Sequence, residues 1–211
     1  MLQSIIRVPH GLPCFTQGLR VGLFGGSFNP PHEGHRAASL LGLKRLRLDR
    51  IWWLVSPGNP LKDPGALAPL AVRLDAARKM ANHPRIEVTG IEAAIGAAYS
   101  FETISYLKRH CSGVHFVWII GADNFLNFHR WQRWREIAKL APFAIIDRPG
   151  FTLRALHGRA AESLARFRYD ESDAPVLATA APPAFVFLHG PRSELSSTGL
   201  RAKPQPLAGK T

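Results

Sequence analysis

The sequence has 211 residues, of which 46% are hydrophobic and 20% charged, a balance typical of one folded domain with a single core. No apolar run reaches the roughly 18 residues that a membrane-spanning helix needs. Residues 1–19 lack the continuous apolar stretch of a secretory signal. Cys14 and Cys111 are too few for a disulfide framework. We therefore expect a cytoplasmic protein with no membrane partner.

The formal net charge of +12 favours a polyanionic partner, which could be nucleic acid or phosphorylated small molecules. A solvated surface with no such partner would carry the same charge. The cationic residues are spread along the chain, without a run of five or six like charges. No RNA-binding signature accompanies them, so dedicated nucleic-acid binding is disfavoured. The oligomeric state stays open.

Apolar runs alternate with stretches of helical periodicity along the chain. Strands are predicted at Arg20–Phe24, Ile51–Val55, Arg85–Val88, Val114–Ile120, Phe143–Ile146 and Ala184–Leu188. Helices are predicted at His35–Leu48, Ala68–Asn82, Ser100–Arg109, Trp131–Leu140 and Leu153–Phe167, and a loop at Ser172–Pro183. This alternation predicts an α/β fold, a Rossmann-like doubly wound parallel sheet in a single domain. We expect the domain to span residues 20–203, after a loose extension at 1–19 and before a disordered tail at 204–211.

The segment from Gly25 to His35 follows the first strand and reads GGSFNPPHEGH. Two residues without Cβ let a backbone approach a phosphate closely, and a helix that begins near His35 favours an anion at its N-terminus. His32 and His35 are spaced to point at one bound group, where imidazoles can donate hydrogen bonds to phosphate oxygens. The alternative is a tight turn with two incidental histidines. Two histidines fall short of a zinc site, and we predict no metal-ligating residues.

Four motifs in order carry a resemblance to a known family. GGSFNPPHEGH resembles the G-[GT]-[ST]-F-[DN]-P-x-H-x-G-H signature of the nucleotidyltransferase superfamily. Ile119–Asn124 is similar to IIG-x-D, Phe128–Trp131 to F-x-x-W, and Leu195–Arg201 to I-S-[SA]-T-x-[IL]-R of the bacterial nicotinate-nucleotide adenylyltransferases. Arg148–Gly150 also fits. The resemblance runs from about Arg20 to Arg201.

The resemblance implies an ATP site built around the first motif. Its implied ATP-binding residues are Gly25, Gly26, Ser27, His32, His35, Gly121, Asp123, Ser196, Ser197, Thr198 and Arg201, and its implied catalytic residues are His32, His35 and Arg201. Asp123 would accept hydrogen bonds from ribose hydroxyls, although an acidic residue there also suits a helix N-cap. The Ser-Ser-Thr element likewise has the alternative of an ordinary helix cap.

The resemblance also implies a site for the mononucleotide, made of Asn59, Lys62, Tyr99, Ser100, Thr103 and Trp131. Trp131 would stack on the nicotinate ring, because an aromatic face suits a cationic pyridinium, and Trp134 is expected in the core. Arg73 would be a further basic position. Two departures from the family pattern are Asn29, where Asp is frequent, and Lys62, where a histidine is common.

The implied reaction is in-line attack of the mononucleotide 5′-phosphate on the α-phosphorus of ATP, yielding deamido-NAD and pyrophosphate for NAD biosynthesis. Mg²⁺ would act mainly through the ATP phosphates. Nicotinamide mononucleotide, phosphopantetheine and a cytidylyl acceptor remain alternative substrates. A basic nucleic-acid-binding domain is the non-enzymatic alternative.

Overall fold

The computed structural model describes residues 11–58, 67–148 and 150–190. Its strands are β1 Arg20–Gly26, β2 Arg50–Val55, β3 Ile86–Thr89, β4 His115–Gly121, β5 Phe143–Ile146, β6 Arg168–Tyr169 and β7 Phe185–Leu188. Its helices are α1 Glu33–Arg45, α2 Leu70–Ala81, α3 Ile91–Ala94, α4 Ser100–His110, α5 Ala122–Leu126, α6 Trp134–Leu140, α7 Thr152–Leu156 and α8 Arg159–Ser163. The 3₁₀ segments are Phe128–Arg130, Ala165–Phe167 and Glu171–Thr179.

All seven strands form one parallel sheet in the order β3-β2-β1-β4-β5-β7-β6. The chain starts at the centre with β1, winds outward to β3, and returns to β4 on the other side of β1. The strand order therefore reverses between β1 and β4, where an open parallel sheet forms a ligand-binding crevice at the carboxyl ends of its strands. The Rossmann-like doubly wound prediction is confirmed.

The sheet is buried on both faces, as parallel sheets are. Neighbouring residues of β2 show this: Trp52 packs into one apolar cluster and Trp53 into the other, and both are 0% exposed. The cluster around Trp52 is covered by α4 and α6, and the cluster around Trp53 by α1 and α2. Because each face is filled, a crevice for a ligand is expected at the ends of the strands.

The predictions for the carboxy-terminal part were wrong in two places. The single helix at Leu153–Phe167 is broken into α7 and α8 at Gly158, where a Cβ would lie 3.3 Å from the carbonyl oxygens of residues 154 and 155. The loop at Ser172–Pro183 instead contains the 3₁₀ helix Glu171–Thr179, which buries alanine and leucine side chains under β7. The two-residue strand β6 was not predicted.

The other boundaries shift by at most three residues. The end of α1 and the start of α6 each shift by three, and α6 begins at Trp134 instead of Trp131 because Arg133 adopts a left-handed φ of 56° just before it. A 3₁₀ turn at Phe128–Arg130 precedes this kink. Trp131 therefore lies between two helical segments, outside the regular helix.

Residues 11–19, the described part of the predicted loose extension, contact the domain. The amide of Gly18 donates to the carbonyl of Gly113 at 2.8 Å, and Thr89 donates its hydroxyl to the carbonyl of Gly11. Leu12 is buried, and the ring of Phe15 lies 6.5 Å from that of Trp52. Residues 1–10 and the predicted tail at 204–211 lie outside the described residues. Within the described ranges, no helix is both long and apolar enough to cross a bilayer.

Candidate active site

Two closely spaced imidazoles, tilted by 42° to each other, lie at the carboxyl end of β1. His32 immediately precedes α1, and its ring centroid is 3.8 Å from that of His35 in the first turn. The backbone N–H of His32 donates to Nδ1 of His35 at 3.2 Å. His32 is only 4% exposed, and neither of its ring nitrogens has a hydrogen-bond partner among the described residues. Two buried, unpaired nitrogens are costly unless a ligand satisfies them.

Both imidazoles are neutral at physiological pH. Burial lowers the pKa of His32 to about 4, with a further contribution from the Arg148 guanidinium. Burial, then the neighbouring His32 and Arg148, lower the pKa of His35 to about 3. Because Nδ1 of His35 accepts a hydrogen bond, the proton of its neutral ring lies on Nε2. His35 therefore presents one N–H donor, a group that can bond a phosphate oxygen.

An aromatic stack holds this pair from behind. The ring of Phe28 lies 4.8 Å from that of His35 and 4.7 Å from that of Trp53, to which it is nearly parallel, and the His35 and Trp53 rings lie 6.0 Å apart. Trp53 donates its indole N–H to Ser39 Oγ at 2.7 Å, and that hydroxyl donates to the carbonyl of His35 at 2.9 Å. Phe28 has a φ of 46°, which a bulky side chain rarely adopts. The imidazoles are thus fixed by β2 as well as by their own helix.

A Cβ on either glycine of the motif would lie against an aromatic ring, with the tighter contact at Gly25. A Cβ on Gly25 would lie 3.3 Å from the Trp118 ring, and one on Gly26 would lie 3.4 Å from the Phe28 ring. The next residue, Ser27, turns its carbonyl towards Arg73, which donates to it at 2.8 Å. The loop after β1 is therefore anchored to α2 through Arg73.

Gly121 and Asp123 lie at the end of β4, beside the switch point. A Cβ on Gly121 would lie 2.5 Å from Oδ1 of Asp123, so only glycine lets this carboxylate fold back over the strand end. Asp123 Oδ2 accepts from Arg148 Nη1 at 3.1 Å, and its buried Oδ1 has no partner among the described residues. Arg148 follows β5 and also acts electrostatically on both imidazoles. Three strand ends thus converge on one charged cluster.

The amino-terminal turn of α4 forms the second half of the candidate site. Glu102 accepts the amides of Ala98 and Tyr99 at 2.8 and 3.1 Å, so the Tyr99 amide is already bonded. The amides of Ser100 and Phe101 open the helix, and such amides have no intrahelical partner. Tyr99 itself is 39% exposed.

Thr103 faces the interior, away from any ligand in the crevice. Its side chain is fully buried, and its hydroxyl donates to Oε1 of Glu92 at 3.1 Å. Burial raises the pKa of Glu92 to about 7, and the hydrogen bond from Thr103 only partly opposes this. The structure therefore does not bring about the predicted contact between Thr103 and the mononucleotide. Thr103 supports the turn of α4 from below.

The two tryptophans of the third motif differ in burial. Trp134 is 7% exposed and packs in the core, whereas Trp131 is half-buried, with its ring edge-on to Phe128 at 5.5 Å. One part of Trp131 is thus held by the core, and another part is accessible. The prediction that Trp134 lies in the core is confirmed, and the stacking role of Trp131 stays a prediction.

Several expected site residues lie outside the described residues: Asn59, Lys62, Ser196, Ser197, Thr198 and Arg201. Sequence reasoning gave no role to Arg148, which contacts Asp123, or to Glu92, which lies beneath the first turn of α4. The match of Arg148-Pro149-Gly150 to the family pattern was the sequence signal that could have pointed to Arg148. Glu92 is a lone acidic residue in a short helix, and no sequence pattern pointed to it.

The fold and the convergent strand ends define a nucleotide-binding α/β protein of Rossmann-like type. The Cytidylyltransferase-like family matches residues 23–203. A relative from Bradyrhizobium sp. (strain ORS 278), named "Probable nicotinate-nucleotide adenylyltransferase", is 58% identical over 87% of this chain and 95% of its own. Relatives of the same name from Methylorubrum extorquens and Brucella abortus (strain 2308) are 57% and 55% identical over 88% and 87% of the chain, and 100% and 94% of their own.

The chain belongs to the Cytidylyltransferase-like family and, within it, to the nicotinate-nucleotide adenylyltransferases. A solved structure supports the fold independently: nicotinic acid mononucleotide adenylyltransferase from Plasmodium falciparum, described as complexed with NaAD. It has a TM-score of 0.63 and 16% identity, over 86% of this chain and 82% of its own. At that identity the likeness is one of fold.

Proposed function

We propose that this protein transfers the adenylyl group of ATP to nicotinate mononucleotide, releasing pyrophosphate and forming deamido-NAD in NAD biosynthesis. The observation that carries the chemistry is the close pair of histidines at the switch point of the sheet, in which both ring nitrogens of the buried His32 are unpaired among the described residues. The identity of the acceptor is supported by the names of relatives that match most of the chain. We place the reaction in the cytoplasm.

The attacking 5′-phosphate oxygen is ionised at neutral pH, so the reaction needs no general base. Neutral imidazoles with lowered pKa values are poor candidates for transferring a proton at pH 7. They act instead as fixed dipoles: Nε2–H of His35 and one N–H of His32 donate to phosphate oxygens as negative charge redistributes. Arg148 adds positive charge on the same side, and Arg201 is proposed to add more.

Asp123 is proposed to hold the ribose of ATP. Its Oδ2 is engaged by Arg148, and its Oδ1 has no partner among the described residues, so one acceptor is left for a hydroxyl. The ion pair also fixes the orientation of the carboxylate. The helix-cap alternative is compatible with this role.

Mg²⁺ is proposed to act with the triphosphate. The described residues contain no group of three or more His, Cys, Asp or Glu side chains that could hold a metal ion. The side chains present therefore fit an ion held by phosphate oxygens and water rather than by a protein cage. Bound there, Mg²⁺ would neutralise charge on the triphosphate.

The nicotinate end of the acceptor is proposed to meet the first turn of α4 and the accessible part of Trp131. The amides of Ser100 and Phe101 and the positive end of the helix dipole favour a carboxylate over a neutral amide. Because Glu102 already holds the Tyr99 amide, recognition falls to the next two amides.

A pyrophosphate-release assay with ATP and a panel of acceptors tests the proposal. Nicotinate mononucleotide should give the highest kcat/KM, nicotinamide mononucleotide a lower one, and phosphopantetheine none above background. Turnover with phosphopantetheine but with neither pyridine mononucleotide would refute the assignment. Mass spectrometry of the product separates deamido-NAD from hydrolysis of ATP.

A further inference from the structure

A single buried arginine holds together the loops that follow β1 and β2. Arg73 lies in the first turns of α2 and is 2% exposed. Its guanidinium donates four hydrogen bonds, all to main-chain carbonyls: Ser27 at 2.8 Å, Ser56 at 2.7 Å, Pro57 at 3.0 Å and Ala68 at 2.8 Å. Most of the five N–H donors of an arginine are therefore used within the protein.

The four carbonyls belong to three separate stretches of chain. Ser27 is in the loop between β1 and α1 that is proposed to bind the phosphates of ATP, which we call the phosphate loop (residues 27–32). Ser56 and Pro57 directly follow β2. Ala68 lies two residues before α2, and its amide donates to Asn29 Oδ1 at 3.4 Å. Arg73 thus joins the phosphate loop to both flanks of the connection between β2 and α2. No other described side chain donates to all three stretches.

The bonding pattern excludes the expectation that Arg73 offers its charge directly to the mononucleotide. The guanidinium is buried and directed at carbonyls, and no carboxylate among the described residues pairs with it. Burial lowers the pKa of Arg73, yet a guanidinium stays protonated at neutral pH. A permanent positive charge therefore lies beneath the loop that precedes His32.

We propose that Arg73 is a positioning residue that fixes the phosphate loop relative to the segment after β2, and so aligns the two substrates for in-line transfer. This inference rests on the proposed function, in which ATP and the mononucleotide meet between these loops. Misplacement of reacting groups by about 1 Å can cost on the order of 100-fold in rate. The planar fork of an arginine suits this task, because one lysine ammonium cannot reach four carbonyls spread over three loops.

The test compares Arg73→Lys and Arg73→Gln with Arg78→Lys in the full chain. Arg78 is on the same helix but exposed, and it pairs with Asp75 at 2.9 Å. We expect Arg73→Lys, which keeps the charge, to lower kcat by about 10- to 100-fold while the protein stays folded. Arg73→Gln should in addition raise the KM for ATP, because it removes the charge. Arg78→Lys should match the wild type.

Separate measurement of kcat, KM and the unfolding temperature distinguishes a positioning role of Arg73 from a purely stabilising one. Wild-type kcat per folded molecule in Arg73→Lys, with only a lower unfolding temperature, would overturn the proposal. Failure of both Arg73 variants to fold would make Arg73 a folding determinant and would overturn it as well. If wild-type protein and Arg78→Lys release no pyrophosphate with either pyridine mononucleotide, the proposed function itself fails, which is a distinct result.

Discussion

The two halves of the candidate site bury titratable groups with opposite responses to pH. At the end of β1, burial lowers the pKa of His32 and His35, so these bases stay uncharged as the pH falls. Beneath α4, burial raises the pKa of Glu92 to about 7, so this acid stays uncharged as the pH rises. All three groups are thus uncharged between about pH 4 and pH 7.

The difference lies in what satisfies each group. Glu92 accepts a hydrogen bond from Thr103, and its role is complete within the protein. The ring nitrogens of His32 lack any partner among the described residues. A buried polar group without a hydrogen-bond partner destabilises the protein, and a ligand that bonds to it removes this penalty on binding. We therefore assign ligand contact to the histidine half, His32 and His35. The glutamate half, Glu92 and Thr103, supports the first turn of α4.

The largest expected effect comes from His35→Ala, which removes the Nε2–H donor. Loss of one such donor costs about 100- to 1000-fold in turnover. We expect kcat to fall by this factor, with a smaller change in the KM for the mononucleotide, measured by pyrophosphate release. The matched control is His110→Ala, which removes an exposed imidazole stacked on Tyr106 of α4. Full activity in His35→Ala would remove the histidine half from the chemistry.

The next effect concerns stability in acid. Between pH 6.5 and about 4, His32 is protonated in the unfolded state and neutral in the folded state. The unfolded state therefore gains protons, and stability falls as the pH drops through this window. A pKa lowered from 6.5 to about 4 corresponds to a loss on the order of 3 kcal/mol.

His32→Asn should remove the His32 share of this acid slope and leave the share of His35, whose pKa is also lowered, which urea unfolding at a series of pH values measures. At pH 7 and above, the variant and the wild type should differ by a pH-independent amount. An unchanged acid slope in His32→Asn would mean that the imidazole is accessible to protons in the folded state.

Glu92 should produce the mirror image, with an amplitude of the same order. Between pH 4.5 and about 7, the unfolded carboxyl ionises while the folded one stays protonated, so stability falls as the pH rises. Glu92→Gln keeps an acceptor for Thr103 and should remove this loss of stability, which in the wild type reaches the order of 3 kcal/mol by pH 8. Thermal unfolding across this range measures it. If the variant and the wild type keep parallel pH profiles, the carboxyl is already ionised in the folded protein.

The architecture and the histidine half could be predicted from sequence, because alternating apolar runs and a glycine-rich turn after the first strand are local patterns. The role of Arg73 could not, because its four acceptors come from three loops that only the fold brings together. Nor could the positive φ of Phe28, whose ring contacts both Trp53 and His35. The break at Gly158 was missed because the flanking residues keep helical periodicity across it.

The smallest expected effect tests whether Trp131 belongs with the ligand or with the core. Its half-buried ring leaves part of an aromatic face for a pyridinium, an interaction worth about 1–2 kcal/mol. Trp131→Ala should therefore raise the KM for nicotinate mononucleotide by about 10-fold, with the KM for ATP unchanged. Trp134→Ala is the matched contrast, because it empties a core position 7% exposed and should lower the unfolding temperature instead. If Trp131→Ala lowers stability as much as Trp134→Ala and leaves both KM values alone, Trp131 is a core residue. The acceptor would then be recognised by the α4 turn without a stacking face.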